Sequence, residues 1–269
     1  STRMMNKFSY ALALGAGLAL GAVAPTAQAA PIVQNLDAPE ITAAQFNSLF
    51  KPMDNAPPLT STYQFIGTPV TGVVQSQVLQ GSGAFEGLYA YAYQFGVNDV
   101  ADVNGEPSSV NSASFQFNAT PARADLLNTG GPGSAVFVVK DGQVGGLSVP
   151  QAGSLVGSSI RIPESVAWMP GTKTGALTFQ YLDPAEDKGP LEAGATSGTI
   201  VVLTSQPFTT KPVSIQNPNP QITYPSAYIS EGGPIQEVPV PEPSTVLAWA
   251  GMIGAAAIAQ RLRGRRKAA

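Results

Sequence analysis

The sequence predicts an all-β body: an antiparallel β-sandwich of jelly-roll-like topology with one short N-terminal helix, flanked by a signal helix and an anchor helix at the chain ends. Three observations predict it. Apolar residues across the central region recur with a period of two rather than 3.6, which puts them on one face of extended strands. The 28 glycines and 24 prolines among 269 residues supply breaks at short intervals without reaching the level of a low-complexity chain. Helical spacing occurs convincingly only once in the interior, over residues 42–50 (TAAQFNSLF), with Thr42 placed as N-cap.

The expected strands are residues 63–66, 70–79, 87–100, 112–117, 135–140, 143–149, 158–162, 175–181 and 199–204, each rich in Val, Phe, Tyr or Thr and bounded by Gly, Pro, Asn or Asp. Asp141-Gly142 between two of them reads as a two-residue hairpin turn. No repeat of fixed period is visible.

Composition removes whole classes of chemistry. The chain has no Cys and no His, so disulfides, thiolate or imidazole metal sites and Ser-His-Asp catalysis are all absent. Apolar residues make up 43% and charged residues only 12%, which argues against disorder.

The two ends read as targeting segments. Arg3 and Lys7 precede the apolar run 11–24 (ALALGAGLALGAVA), and Ala27-Gln28-Ala29 follows as a small-x-small site. These are the three parts of a secretory signal peptide, so residues 1–29 are expected to be removed after Ala29 by signal peptidase. The competing reading, a buried Ala/Leu helix, lacks any amphipathic pattern in its favour.

At the other end Val240-Pro241-Glu242-Pro243-Ser244 precedes the apolar run 246–259 (VLAWAGMIGAAAIA), with Val246, Leu247, Trp249, Met252, Ile253 and Ile258 as its bulkiest members. Arg261, Arg263, Arg265, Arg266 and Lys267 then close the chain. Sixteen residues of helix from Ser244 reach about 24 Å, several ångströms short of a hydrocarbon core, a deficit that snorkelling arginines can cover. The cations fix orientation: they stay cytoplasmic, so everything before Val246 lies across the membrane. Ala and Gly make the span weakly hydrophobic, suited to a transient anchor.

This ordered triplet resembles the PEP-CTERM sorting signal of exported bacterial proteins. The resemblance covers about the last 30 residues and implies that Pro241, Glu242 and Pro243 are the recognition element for an exosortase, an integral-membrane transpeptidase that cuts near them. It further implies export by a bacterium that makes extracellular polysaccharide, and implies nothing about the body's fold or activity.

Between the ends, residues 30–240 carry 7 basic and 16 acidic residues, so the mature chain is near −9 and repels nucleic acid. Residues 30–211 are expected to form the body. Eight prolines between Pro212 and Pro243 suggest that residues 212–240 form an extended stalk, with 213–216 or 221–224 able to add an edge strand, ahead of the sorting tail 241–269.

Three features of the body invite chemistry. Tyr89, Tyr91, Tyr93 and Phe95 alternate with small residues and share one strand face, which suits either a glycan-stacking platform or a packed interior. Asp99, Asp102, Asn104 and Glu106 gather oxygen donors for calcium, although Gly105 is misplaced for an EF-hand and Asn104-Gly105 is equally a solvated turn. Paired carboxylates can run glycoside hydrolysis without His, yet no spacing singles out a pair. The expected function is therefore that of an exported, non-enzymatic cell-surface or extracellular-matrix protein of structural or adhesive type, with no catalytic residue or cofactor beyond possible calcium. The alternative is a carbohydrate-binding module for exopolysaccharide, and a glycan-processing enzyme stands third.

Overall fold

The computed structural model describes residues 33–232 apart from 103, 140, 149–159, 172–173 and 187. The segments expected to be a signal peptide (1–29), a sorting motif (241–243) and an anchor (246–259), and the terminal cations, lie outside the described residues, and among the described ones no helix is long and apolar enough to cross a membrane. The chain is predominantly β. In order it forms β1 (Gln34–Leu36), α1 (Ala43–Leu49), β2 (Phe50–Pro52), β3 (Leu59–Tyr63), β4 (Gly72–Gly81), β5 (Tyr89–Val97), β6 (Ser109–Val110), β7 (Ser112–Phe117) and β8 (Val136–Val139). There follow β9 (Ile160–Arg161), β10 (Ser165–Met169), β11 (Gly175–Gln180), β12 (Leu191–Glu192), β13 (Thr196–Ser197), β14 (Thr199–Thr204), β15 (Phe208–Pro212), β16 (Ser214–Gln216), β17 (Ile222–Thr223) and β18 (Ser226–Ser230).

One large sheet runs β1-β10-β11-β7-β16-β17, all antiparallel. The other is built around β4 and β5: β2 and β3 pair with β4, while β14 lies between β5 and β8. In this second sheet β9 pairs with β13 in parallel. Two-stranded pairs β6-β12 and β15-β18 complete the pattern.

The two large sheets share a core, and the alternation along β5 explains how. Tyr91, Tyr93 and Phe95 point toward the opposite sheet, where Tyr93 meets Phe115 of β7 at 4.4 Å between ring centroids and Tyr91 meets Phe117 at 5.2 Å. Trp168, Leu177 and Phe179 fill the same space from β10 and β11. The residues between the rings, Ala90 and Ala92, face the other way and join a second cluster with Phe46, Phe50, Phe137, Val201 and Leu203. Small side chains there leave room for α1 to lie against the sheet, its Phe46 stacked on Phe50 at 5.0 Å. Every residue of β14 is buried, as a strand covered on both faces requires.

The helix starts where expected: the Thr42 side chain accepts from the Gln45 N–H, and Gln45 reaches back to the Thr42 N–H in a capping box. Asp141 adds a distant contact, its Oδ1 accepting from the Ala43 N–H at 2.9 Å. That contact bears on the Asp141-Gly142 turn. Gly142 has φ +73, but the chain turns toward α1 instead of forming a hairpin, and no strand forms among the described residues of 143–149. Buried glutamines of β4 hold this segment instead: Gln75 Oε1 accepts from the Ser148 N–H at 2.7 Å and Gln77 Oε1 from the Gly146 N–H at 2.7 Å. Gly145 takes φ +54, a left-handed conformation that favours glycine, as the chain passes close to Gln77.

Two further expectations are corrected. The strand placed at 63–66 ends at Tyr63 and begins at Leu59, because Thr68 and Thr71 bind Phe65 and draw the chain into a turn. The stretch expected to be an extended stalk from 212 folds with the body as far as Ser230, and the edge strands allowed at 213–216 or 221–224 both form, as β16 and β17. β16 pairs with β7 and β18 with β15, and Val213, Ile215, Ala227 and Ile229 are all buried. Pro218 and Pro220 sit in the β16-β17 turn and Pro225 separates β17 from β18, so these prolines punctuate strands.

Packing around Trp168 gives a test. A Cβ on Gly175 would lie 1.9 Å from the buried Trp168 ring, whereas at Gly189 the nearest atom is 3.6 Å away. Gly175→Ala should lose about 1–3 kcal/mol in urea denaturation and Gly189→Ala almost none; equal losses would contradict the packing described.

Candidate functional site

The tyrosine row is not a binding platform. Tyr91 and Tyr93 are 0% exposed and Tyr89 is half-buried against the same core. Their hydroxyls are used inside the protein: Tyr93 donates to the Tyr228 carbonyl at 2.7 Å and Tyr91 to the Gln206 carbonyl at 3.0 Å. Burial raises the Tyr91, Tyr93, Tyr63 and Tyr181 phenols well above their ordinary range, because the phenolate has no solvent there. Trp168 is equally enclosed. Among the described residues the large aromatic left exposed is Tyr224.

The oxygen-rich loop 98–108 closes on itself as a turn. Ala101 bridges Pro107, the Asp102 N–H donates to the Glu106 carbonyl at 2.7 Å, and Gly105 takes φ +83. Asp102 organises it, its Oδ1 accepting from the Asn104 N–H at 2.7 Å and the Glu106 N–H at 3.0 Å. Its other oxygen accepts from Asn219 Nδ2 at 3.1 Å, joining the loop to the β16-β17 turn. That turn is fixed by Asn217, whose Oδ1 accepts from the Gln221 N–H at 2.9 Å.

Between these two loops lies a cleft of about 250 Å³, lined by Phe65, Asp102, Glu106, Ser108, Asn217 and Asn219 together with neighbouring Pro and Ser residues. The structure brings Asp102 and Glu106 of the sequence candidates into the cleft; Asp99 and Asn104 are not among its described lining. Ser108 and Asn219 join them from outside the expected set. Asn219 is 117 positions from Asp102, a distance no local pattern spans. Ser108 is 3% exposed and its hydroxyl has no hydrogen-bond partner. No basic residue is among the described lining. The two carboxylates rise from one turn, and Asp102 is occupied in closing it. That arrangement is unlike two carboxylates set across a substrate for glycoside hydrolysis.

A second cleft, of about 320 Å³, borders the glycine-rich segment 130–133. Asp125 explains the shape of this segment: it accepts from the Thr129 N–H at 2.9 Å and the Gly130 N–H at 2.7 Å, and these bonds hold its carboxyl below the usual range. Asp183 plays the same part in its own loop, accepting from the Ala185 N–H at 2.9 Å. Among the described residues no group of three or more acidic side chains is placed to hold a metal by itself.

The buried phenols predict a pH limit. A phenol whose folded pKa is raised contributes nothing unfavourable below the unfolded value near 10, and its stabilisation of the fold is lost as pH climbs above that value. In a titration followed at 295 nm, Tyr63, Tyr93 and Tyr181 should ionise only as the fold is lost. A single transition for all tyrosines with the fold intact would contradict their burial.

Comparison with protein-family models, with curated proteins and with solved structures finds no match.

Proposed function

We propose that this chain is an exported cell-surface or extracellular-matrix protein of structural or adhesive type, without catalytic activity, sorted by a PEP-CTERM signal at its C-terminus. The observation that carries the reading is the fixed order at the chain end: Pro241-Glu242-Pro243, then the apolar run 246–259, then Arg261 to Lys267. An N-terminal segment with the parts of a signal peptide supports it from the opposite end. In this reading signal peptidase removes residues 1–29, the apolar run holds the chain briefly in the membrane, and an exosortase-type transpeptidase releases it to the surface or matrix.

The body suits that destination. We read its two large, mostly antiparallel sheets, joined by an aromatic core, as a sandwich of jelly-roll-like type, an architecture that presents loops at both ends of a rigid centre. A Cys-free chain gains its rigidity from packing and buried hydrogen bonds alone, which makes it independent of the redox state outside the cell. Matrix polysaccharide is the natural partner class for such a surface protein. The buried tyrosines do not serve that contact.

The experiment is replacement of Pro241-Glu242-Pro243 by three alanines in a host that carries an exosortase. The wild-type product should lose its C-terminal tail by mass and leave the membrane fraction, whereas the variant should retain the tail and stay membrane-associated. Identical masses and locations for the two would overturn the sorting reading.

A further inference from the structure

We propose that Asn104 is a site of spontaneous covalent modification, at which the side-chain amide is lost to attack by the Gly105 backbone nitrogen and the 98–108 loop gains a carboxylate. The reaction needs water alone as co-reactant and is independent of where the protein is placed.

Asn104 is the one asparagine of the chain that is followed by glycine. The neighbour matters because the reaction closes a ring through the next residue's backbone nitrogen, and a Cβ on that residue obstructs the closure. Both residues are exposed, Gly105 takes φ +83, and a Cβ built on Gly105 would meet no heavy atom within 4 Å, so the ring has open space in which to form. Among the described residues no hydrogen bond holds the Asn104 side chain; it is the backbone N–H that serves the turn, donating to Asp102 Oδ1 at 2.7 Å. The other asparagines fail one of these conditions. Asn217 and Asn219 precede prolines, which have no N–H to lose, and every remaining one precedes a residue that carries a Cβ. Asn47 and Asn98 are held as well, donating their amides to the Gln143 and Val70 carbonyls at 2.7 and 2.9 Å.

One bond restrains the step. The Gly105 N–H donates to the Asp102 carbonyl at 3.1 Å, so the reaction waits on local opening of the turn. The freed nitrogen then attacks Asn104 Cγ; the N–Cγ bond forms, the Cγ–Nδ2 bond breaks, and Nδ2 leaves with the Gly105 proton as ammonia. The product is a cyclic succinimide. Water opens it at Cγ to give aspartate, or at the main-chain carbonyl to give isoaspartate, in which the chain runs through the former side chain. Either product adds a negative charge beside Asp102 and Glu106. Isoaspartate also inserts a carbon into the main chain between the two N–H groups that Asp102 Oδ1 now accepts, those of Asn104 and Glu106, and so loosens the turn.

The test is incubation of the purified full chain in mildly alkaline buffer, sampled over time by peptide mass mapping and by hydroxylamine, which cuts a succinimide. The fragment spanning 104–105 should convert an order of magnitude faster than any other asparagine-containing fragment, and hydroxylamine should cut between Asn104 and Gly105. Unfolding in urea should speed the conversion, since it removes the restraint on the Gly105 N–H. An Asn104→Ser chain should keep the wild-type thermal midpoint and show no conversion in that fragment. In the isolated isoaspartate form the Glu106 amide should exchange with solvent faster than in the fresh chain. A 104–105 fragment that stays intact in the folded chain while the urea-unfolded chain converts, or that converts no faster than the fragment holding Asn55, would overturn the proposal; an unchanged Glu106 amide in the isoaspartate form would overturn the loosening of the turn.

Discussion

The two-sided burial of β5 is the constraint on which this structure depends. Its aromatic residues fill the space toward β7 and β11, and its alanines admit α1 on the other side. Neither face can be exchanged for the other, since a one-residue slip would drive rings against the helix and leave a void between the sheets. Hydrogen bonds lock the same register: the Tyr93 and Tyr91 hydroxyls tether β18 and the segment after β14, and Gln94 Nε2 donates to Thr199 Oγ1 of β14 at 2.6 Å. Aromatic contacts of this kind add about 0.5–1.5 kcal/mol each beyond the area they bury, so the cluster around Tyr93 and Phe115 supplies specificity as well as stability.

How far the fold was legible follows from the range of the forces involved. The period of two marked β5, β7, β11 and β14, and the N-cap and spacing marked α1, because these signals lie within a few neighbouring residues. What failed was non-local. Residues 143–149 have strand composition, yet Gln75 and Gln77 of β4 capture their backbone, and no window around residue 145 contains that information. The short strand β10 escaped notice because only Val166 and Trp168 on one face carry its signal. Proline density was ambiguous: the edge strands allowed at 213–216 and 221–224 formed as β16 and β17, but β15 and β18 were not expected, since Pro218, Pro220 and Pro225 are compatible with an extended stalk and equally with tight turns between short strands. Only the partners of β16 and β18 decide between the two.

The site shows the same division. Sequence spacing placed Asp102 and Glu106 together because one turn holds both. Spacing drew in Asp99 and Asn104 as well, but Asn104 serves the turn through its backbone N–H. Asn219 and Ser108 carried no signal, one being distant in sequence and the other an ordinary serine until burial left its hydroxyl without a partner. The tyrosine row was legible as a row; which way it faced depended on β7 and β11, and the interior claimed it.

Native-state hydrogen exchange on the full chain tests the central claim most directly. If two-sided burial of β5 holds the structure together, amides of β4, β5 and β14 should exchange last and with the free energy of global unfolding, while α1 and the 98–108 loop open earlier. Exchange of the β5 amides as early as those of α1, with the rest of the fold still protected, would contradict it.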